Sequence, residues 1–268
     1  MPAAVASRAA GWNETPRPGV SPVRSPVRSN PASRVRIGAA CLAWLASSAQ
    51  AGVPPPCRGC TVEVPAARGA GEAPARTLPL LVVLHGDREH APAAAARWRD
   101  AARQRGWVVL SLQCPVDQGC KDSWWKWNGD PGWIVDQVAA IAKAAPIDPA
   151  RIYLAGWSGG ATYLGMHAPA WSAGFAAVVF HGGGHRPSAD CPDRPLPAYF
   201  LAGDRNPYHE QVQDLRGWFD DCRQDVVWDL VRGGDHDRED RALDRRKALA
   251  ILDWLADHAR ATTAGPAR

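Results

Sequence analysis

The stretch Gly156-Trp157-Ser158-Gly159-Gly160 sets a serine among glycines, directly after the apolar run "RIYLAG" (residues 151–156) and before "ATYLGMHA" (161–168), a helix candidate. A sharp turn from strand into helix brings backbone close to backbone. Glycines on either side of the serine permit that approach, and the turn lifts the hydroxyl clear of the sheet. The helix behind it presents free N–H groups to a developing oxyanion. A small residue in an ordinary glycine turn needs neither neighbour, so the strand–serine–helix order makes Ser158 the expected nucleophile.

A serine hydroxyl needs a base, and a neutral imidazole is the usual one. Of the eight histidines, His236 in "VRGGDHDRED" lies in a loop after the last apolar run and before the C-terminal helix pattern. His167 and His258 fall within helix patterns, and His90 and His209 lie in polar segments. No metal or organic cofactor is expected: "CRGC" (57–60) has no second C-x-x-C and no histidine pair at ligand spacing.

These residues need a scaffold, and the hydrophobic pattern supplies one. "LPLLVVLH" (78–85), "WVVLSL" (107–112), "RIYLAG" (151–156), "FAAVVFH" (175–181), "PAYFLAG" (197–203) and "DVVWDLV" (225–231) are apolar on both faces, as buried parallel strands require. Ile134, Val138 and Ile141 form a helical stripe between them. Ala248, Ile251, Leu252 and Leu255 form another near the C-terminus. Strands alternating with helices predict a mostly parallel sheet covered on both sides, an α/β architecture. Chemistry then collects at the carboxyl ends of the strands.

"IDPARIYLAGWSGG" (147–160) and "LLVVLHG" (80–86) resemble the nucleophile-elbow and early-strand regions of the α/β-hydrolase superfamily. More narrowly they are similar to secreted esterases of the polyhydroxyalkanoate depolymerase and feruloyl esterase group. The resemblance implies the chain order serine, acid, histidine and hydrolysis through an acyl-enzyme, with His236 in the histidine's place. It implies an oxyanion hole made by the backbone N–H groups of Asp87 and Gly159. "HGGGH" (181–185) looks like a lipase oxyanion motif but follows the serine, where that motif precedes it, and reads as a loop. The acid is expected on the loop Gly203-Asp204-Arg205-Asn206-Pro207, where the family's G-x-x-D-P register puts an aspartate at the position of Asn206. Asp204, two residues earlier, is the candidate, and Asn206 itself is the alternative partner for His236. Two rival readings are a serine peptidase of the same fold and a carbohydrate- or polymer-binding protein with a decayed site.

"DSWWKWNGDPGW" (122–133) concentrates Trp124, Trp125 and Trp127 on a polar segment. Such a cluster suits either packing or an exposed wall against sugars, aromatic acyl groups or polyester chains. With Trp157 of the elbow, these are the candidate substrate-binding residues.

Residues 1–51 carry six arginines against one acidic residue, and the rest of the 268-residue chain balances 25 basic against 26 acidic side chains. That near-neutral body gives no electrostatic reason to expect nucleic acid as a partner, and no apolar run is long enough for a membrane span. The expected partner is a small-molecule or oligomeric ester. Residues 1–33 are rich in Pro, Arg and Ser and read as a disordered extension. Arg34 and Arg36, the apolar stretch 37–46 and Ala49-Gln50-Ala51 have the order of an export signal. Residues 52–268 then form a single exported catalytic domain, periplasmic or extracellular. Six cysteines remain in it, and local spacing favours Cys57–Cys60 and Cys114–Cys120, leaving Cys191–Cys222.

Overall fold

The computed structural model describes residues 53–65 and 77–261. The expected N-terminal extension and export signal lie outside the described residues. Seven strands form one sheet in the order β1-β3-β2-β4-β5-β6-β7. They are β1 (Thr61–Glu63), β2 (Leu78–Leu84), β3 (Val108–Leu112), β4 (Ile147–Trp157), β5 (Val178–His181), β6 (Ala198–Gly203) and β7 (Val226–Val231). All neighbours run parallel except β1, which pairs antiparallel with β3. The six longer strands are those the apolar runs predict. β1, three residues long, was too short to carry an alternation.

The strands are apolar on both faces because both are covered. Along β2, Leu80, Val82 and Leu84 enter one core and Leu81 and Val83 the other. The second core is closed by α1 (Ala91–Arg105) and α7 (Arg245–Asp257), the first by α2 (Gly132–Ala144), α3 (Gly159–Met166), the short α4 (Ala168–Trp171) and α5 (His209–Asp221). α2 and α7 follow their predicted stripes. α1 opens with Pro92 in its first turn, ends at Gly106 with φ 74°, and buries Ala94, Trp98, Ala101 and Ala102 along one side. Alanine-rich and weakly hydrophobic, it gave no clear stripe in the sequence.

One more helix, α6 (His236–Ala242), lies between β7 and α7. His236 is therefore its first residue and not a loop residue. Asp235 caps the helix, accepting the Arg238 N–H at 2.9 Å. Three disulfides form the expected pairs, two by local spacing and Cys191–Cys222 by elimination, with Cα–Cα separations of 5.3 Å for Cys57–Cys60, 5.8 Å for Cys114–Cys120 and 5.4 Å for Cys191–Cys222.

The chain steps from β2 outward to β3, then returns to β4 on β2's other side. The crevice opened by that reversal lies between the loops leaving β2 and β4. Asp87 follows β2 and Ser158 follows β4, so the topology itself sets them side by side.

Candidate active site

Ser158 stands between β4 and α3 with φ 51° and ψ −114°, a conformation that a non-glycine residue adopts only at a cost. The flanking glycines explain how the turn closes. A Cβ on Gly156 would meet the Ala161 nitrogen at 2.5 Å, and one on Gly160 would meet the Leu84 and His85 carbonyl oxygens at 2.7 Å. The Ser158 N–H donates to the His181 carbonyl at 2.9 Å, tying the turn to β5.

His236 meets the serine across the sheet's carboxyl edge. Its Nε2 lies 2.9 Å from Ser158 Oγ, within reach of the hydroxyl proton. The ring lies flat on the Trp157 indole, with centroids 4.5 Å apart and planes 8° from parallel. Trp157 is buried beneath the His236 ring instead of facing a ligand.

The structure does not bring Asp204 to the histidine. Asp204 is exposed, and its carboxylate makes no hydrogen bond among the described residues; the loop's backbone turns it outward, with Arg205 N–H held by the Gly234 carbonyl at 2.9 Å. Glu239 lies there instead, one helical turn beyond His236 and 0% exposed. Its Oε2 is 3.1 Å from His236 Nδ1 and also accepts from Asn206 Nδ2, while Oε1 accepts from the Gly203 N–H. His181 Nε2 donates to the Glu239 carbonyl at 2.7 Å. Burial pushes the His181 imidazole down to about 4, which keeps it neutral beside His236.

Asp87 and Gly159, the expected oxyanion donors, lie close together: a Cβ on Gly159 would meet Asp87 Oδ1 at 2.0 Å. Neither backbone N–H is used by another group among the described residues. The loop holding Asp87 is braced from below. Buried His85 donates from Nδ1 to the Gly86 carbonyl at 2.7 Å, and its Nε2 accepts from the Cys114 N–H at 3.1 Å. Desolvation lowers its pKa and favours the neutral ring that this pattern needs. Glu89 accepts the Gly86 N–H at 3.0 Å and pairs with Arg97. Arg97 also pairs with Asp240 of α6 at 2.6 Å and lies 5.1 Å from the Trp157 ring centre. One guanidinium thus links the loop holding Asp87, the helix bearing His236 and the indole beneath it.

The tryptophans divide. Trp124 and Trp127 are core residues, packed with Trp133 and Tyr163, and are not available to a ligand. Trp125 is 42% exposed and donates from Nε1 to Asp87 Oδ2 at 2.6 Å. The segment Trp124–Lys126 is a 3₁₀ turn, and three residues per turn put 124 and 127 on one side with 125 off it. Above Ser158 opens a cavity of about 340 Å³, lined by Asp87, Trp125, Gly159, His185 and Tyr208 among others. "HGGGH" contributes Gly182, Gly183 and His185 to this wall, while His181 lies behind it.

Sequence reasoning missed Glu239, Arg97 and Glu89. The H-x-x-E spacing of His236 and Glu239 is the signal that would have found the first, once α6 was recognised as a helix. Arg97 and Glu89 have no such mark, since their partners lie far apart in the chain. Among the described residues no cluster of metal-ligating side chains occurs, and no helix is long and apolar enough to cross a membrane.

Neither a protein-family profile nor a curated protein sequence matches the chain. Solved structures do. A thermostable esterase superposes with TM-score 0.56 at 19% identity, over 75% of this chain and 59% of that one, so the chain spans less than two thirds of that relative's length. A ferulic acid esterase matches with TM-score 0.53 at 14% identity, over 68% of this chain and 86% of that one. The S-formylglutathione hydrolase of Staphylococcus aureus matches with TM-score 0.56 at 14% identity, over 73% and 91%. A putative dipeptidyl aminopeptidase IV from Bacteroides ovatus matches with TM-score 0.56 at 13% identity, over 74% of this chain and 33% of its own. The chain has the α/β-hydrolase fold, as the elbow sequence predicts.

Proposed function

We propose that this protein is a serine hydrolase that cleaves carboxylic esters through an acyl-enzyme. The observation carrying this reading is the 2.9 Å approach of His236 Nε2 to Ser158 Oγ, on a serine held at φ 51° between strand and helix. Ser158 Oγ attacks the ester carbonyl carbon while its proton passes to His236 Nε2. The carbonyl oxygen gains the negative charge and takes hydrogen bonds from the Asp87 and Gly159 N–H groups, donors that need no reorganisation as the charge develops. The imidazolium returns the proton to the leaving alkoxide as the C–O bond breaks. Water then repeats the sequence on the acyl-enzyme and frees the acid.

The cavity of about 340 Å³ lies at the small end for ligand sites and suits a compact acyl group. Trp125 and Tyr208, both exposed at its edge, offer aromatic surface to the rest of the ester. Three disulfides and the leader pattern of residues 1–51 support export to an oxidising compartment. The esterases among the structural neighbours agree with ester chemistry.

The test is Ser158→Ala against a panel of p-nitrophenyl, feruloyl, acetyl-sugar and hydroxybutyrate esters, with a peptide amide beside them. Turnover by the natural chain and its loss by a factor of about 10⁵–10⁶ in the variant are expected. Covalent labelling of the natural chain, and not the variant, by a fluorophosphonate is expected as well. A chain that neither turns over any of them nor takes the label is a binding protein. Preference for the amide makes it a peptidase.

A further inference from the structure

We propose that Glu239 is the acid that orients His236 and balances its charge, and that Asn206, standing where the resemblance puts an aspartate, is a clamp on that acid. This rests on the serine-hydrolase reading above.

The hydrogen bonds around Glu239 can be arranged in one consistent way. Asn206 Oδ1 accepts the Tyr208 N–H at 2.9 Å, which fixes the amide and turns Nδ2 toward Glu239 and His236. His236 Nε2 faces the serine hydroxyl and accepts its proton, so Nδ1 carries the ring's own N–H. Nδ1 and Asn206 Nδ2, 3.1 Å apart, are then two donors converging on the same Glu239 oxygen, and not a bond between themselves. Gly203 N–H takes the other oxygen. All three partners of the carboxylate donate, and it accepts on both oxygens, as an ionised acid does. Were Asn206 turned to offer its oxygen to Nδ1, the Tyr208 N–H would lose its acceptor and the histidine would have only a neutral amide against its developing charge.

Placement on α6 follows from helix geometry. Side chains lean toward a helix's N-terminus, so residue 239 reaches back over residue 236. The acid and the base therefore sit on one rigid turn, and the loop after β6 is left to hold them. Glu239 is a positioning residue: it touches the base and not the substrate. A purely mechanical strut makes a different prediction, because a glutamine there keeps the side chain's shape and one acceptor while removing the charge.

The experiment compares Glu239→Gln, Glu239→Asp, Asp204→Asn and the exchange Asn206→Asp/Glu239→Gln, each checked by thermal melting and assayed for kcat and KM on the best ester of the panel. Glu239→Gln should lose about 10³–10⁴ in kcat with KM within about threefold, since removing a triad carboxylate while keeping its geometry costs a serine protease about 10⁴. Asp204→Asn should stay within about threefold of the natural chain. The exchange, which returns a carboxylate to the loop beside Nδ1, should regain at least about tenfold over Glu239→Gln. A Glu239→Gln enzyme above about a tenth of natural kcat, or a loss of about a hundredfold in Asp204→Asn, overturns the assignment. If Glu239→Gln does not fold, Glu239→Asp and Asp204→Asn decide. Activity kept in Asp204→Asn and reduced about ten- to a hundredfold in Glu239→Asp supports it; the reverse overturns it. Loss of turnover in Ser158→Ala with Glu239→Gln unaffected removes the acid and leaves the hydrolase. Unaffected Ser158→Ala removes both.

Discussion

Two segments border Ser158, and they differ in what they bring. The first turn of α6 brings polar groups with every partner nearby: Asp235 caps it, His236 faces the serine, Glu239 is buried among three donors and Asp240 pairs with Arg97. The tryptophan segment 124–127 brings apolar bulk, two of its indoles lost in the core and the third lying at the cavity edge. One is organised by hydrogen bonds, which fix atoms to within a few tenths of an ångström. The other is organised by packing, which fixes a shape. Chemistry should therefore respond to changes in the first, and binding and stability to changes in the second.

The sharpest way to test that division is His236→Ala, which should lower kcat by about 10⁵ or more at nearly constant KM, read in single-turnover ester hydrolysis. Fluorophosphonate labelling should slow in parallel. A large change confined to KM would move this turn into the binding half.

Arg97→Met comes next. It leaves Glu89 and Asp240 without their cation and frees the oxyanion loop from α6, so kcat should fall about ten- to a hundredfold. Arg97→Lys should recover little, because a single ammonium cannot reproduce the guanidinium's hydrogen bonds to both carboxylates. Full recovery by lysine would show that the link is charge alone.

Trp125→Ala and Trp124→Ala form a matched pair across the second segment. Loss of Trp125 should raise KM for bulky esters several-fold more than for p-nitrophenyl acetate. Loss of Trp124, fully buried, should cost about 3–5 kcal/mol of stability in denaturant melts. Similar behaviour of the two variants would erase the distinction between wall and core.

The smallest effect concerns pH. His181, fully desolvated and pushed down to about 4, must take up a proton on unfolding below its ordinary value of 6.5. Its contribution to stability is complete above about pH 6.5 and fades as pH falls toward about 4. His85 and His167, lowered for the same reason of burial, act in the same direction. The melting temperature should decline through this window, and less steeply in His181→Asn than in the natural chain. An equal slope in the two would remove His181 from the acid response.

The sequence by itself determined the parts of this protein that depend on neighbours in the chain. Apolar runs marked the six longer strands because parallel strands buried on both faces must be apolar throughout. G-x-S-x-G marked the elbow because glycine alone fits at Gly156 and Gly160, both within reach of an adjoining backbone. Cysteine spacing favoured the disulfide pairs found. The order of elements pointed to His236 after the last strand, beside which the fold sets Ser158, though not as a helix residue, since "HDREDRA" is too short and too polar to show a stripe. Tertiary structure alone decided which acid meets the histidine. Asp204 and Glu239 are equally ordinary carboxylates in one dimension, and the choice rests on a loop backbone that turns one outward and a helical turn that folds the other under His236. The same holds for the tryptophans. Their number left a wall and packing both open, and a 3₁₀ turn, with Trp127 held to Gln118 and Tyr163, chose which of them faces the cavity. Residue type states what a side chain can do, and only the packed fold states what it faces.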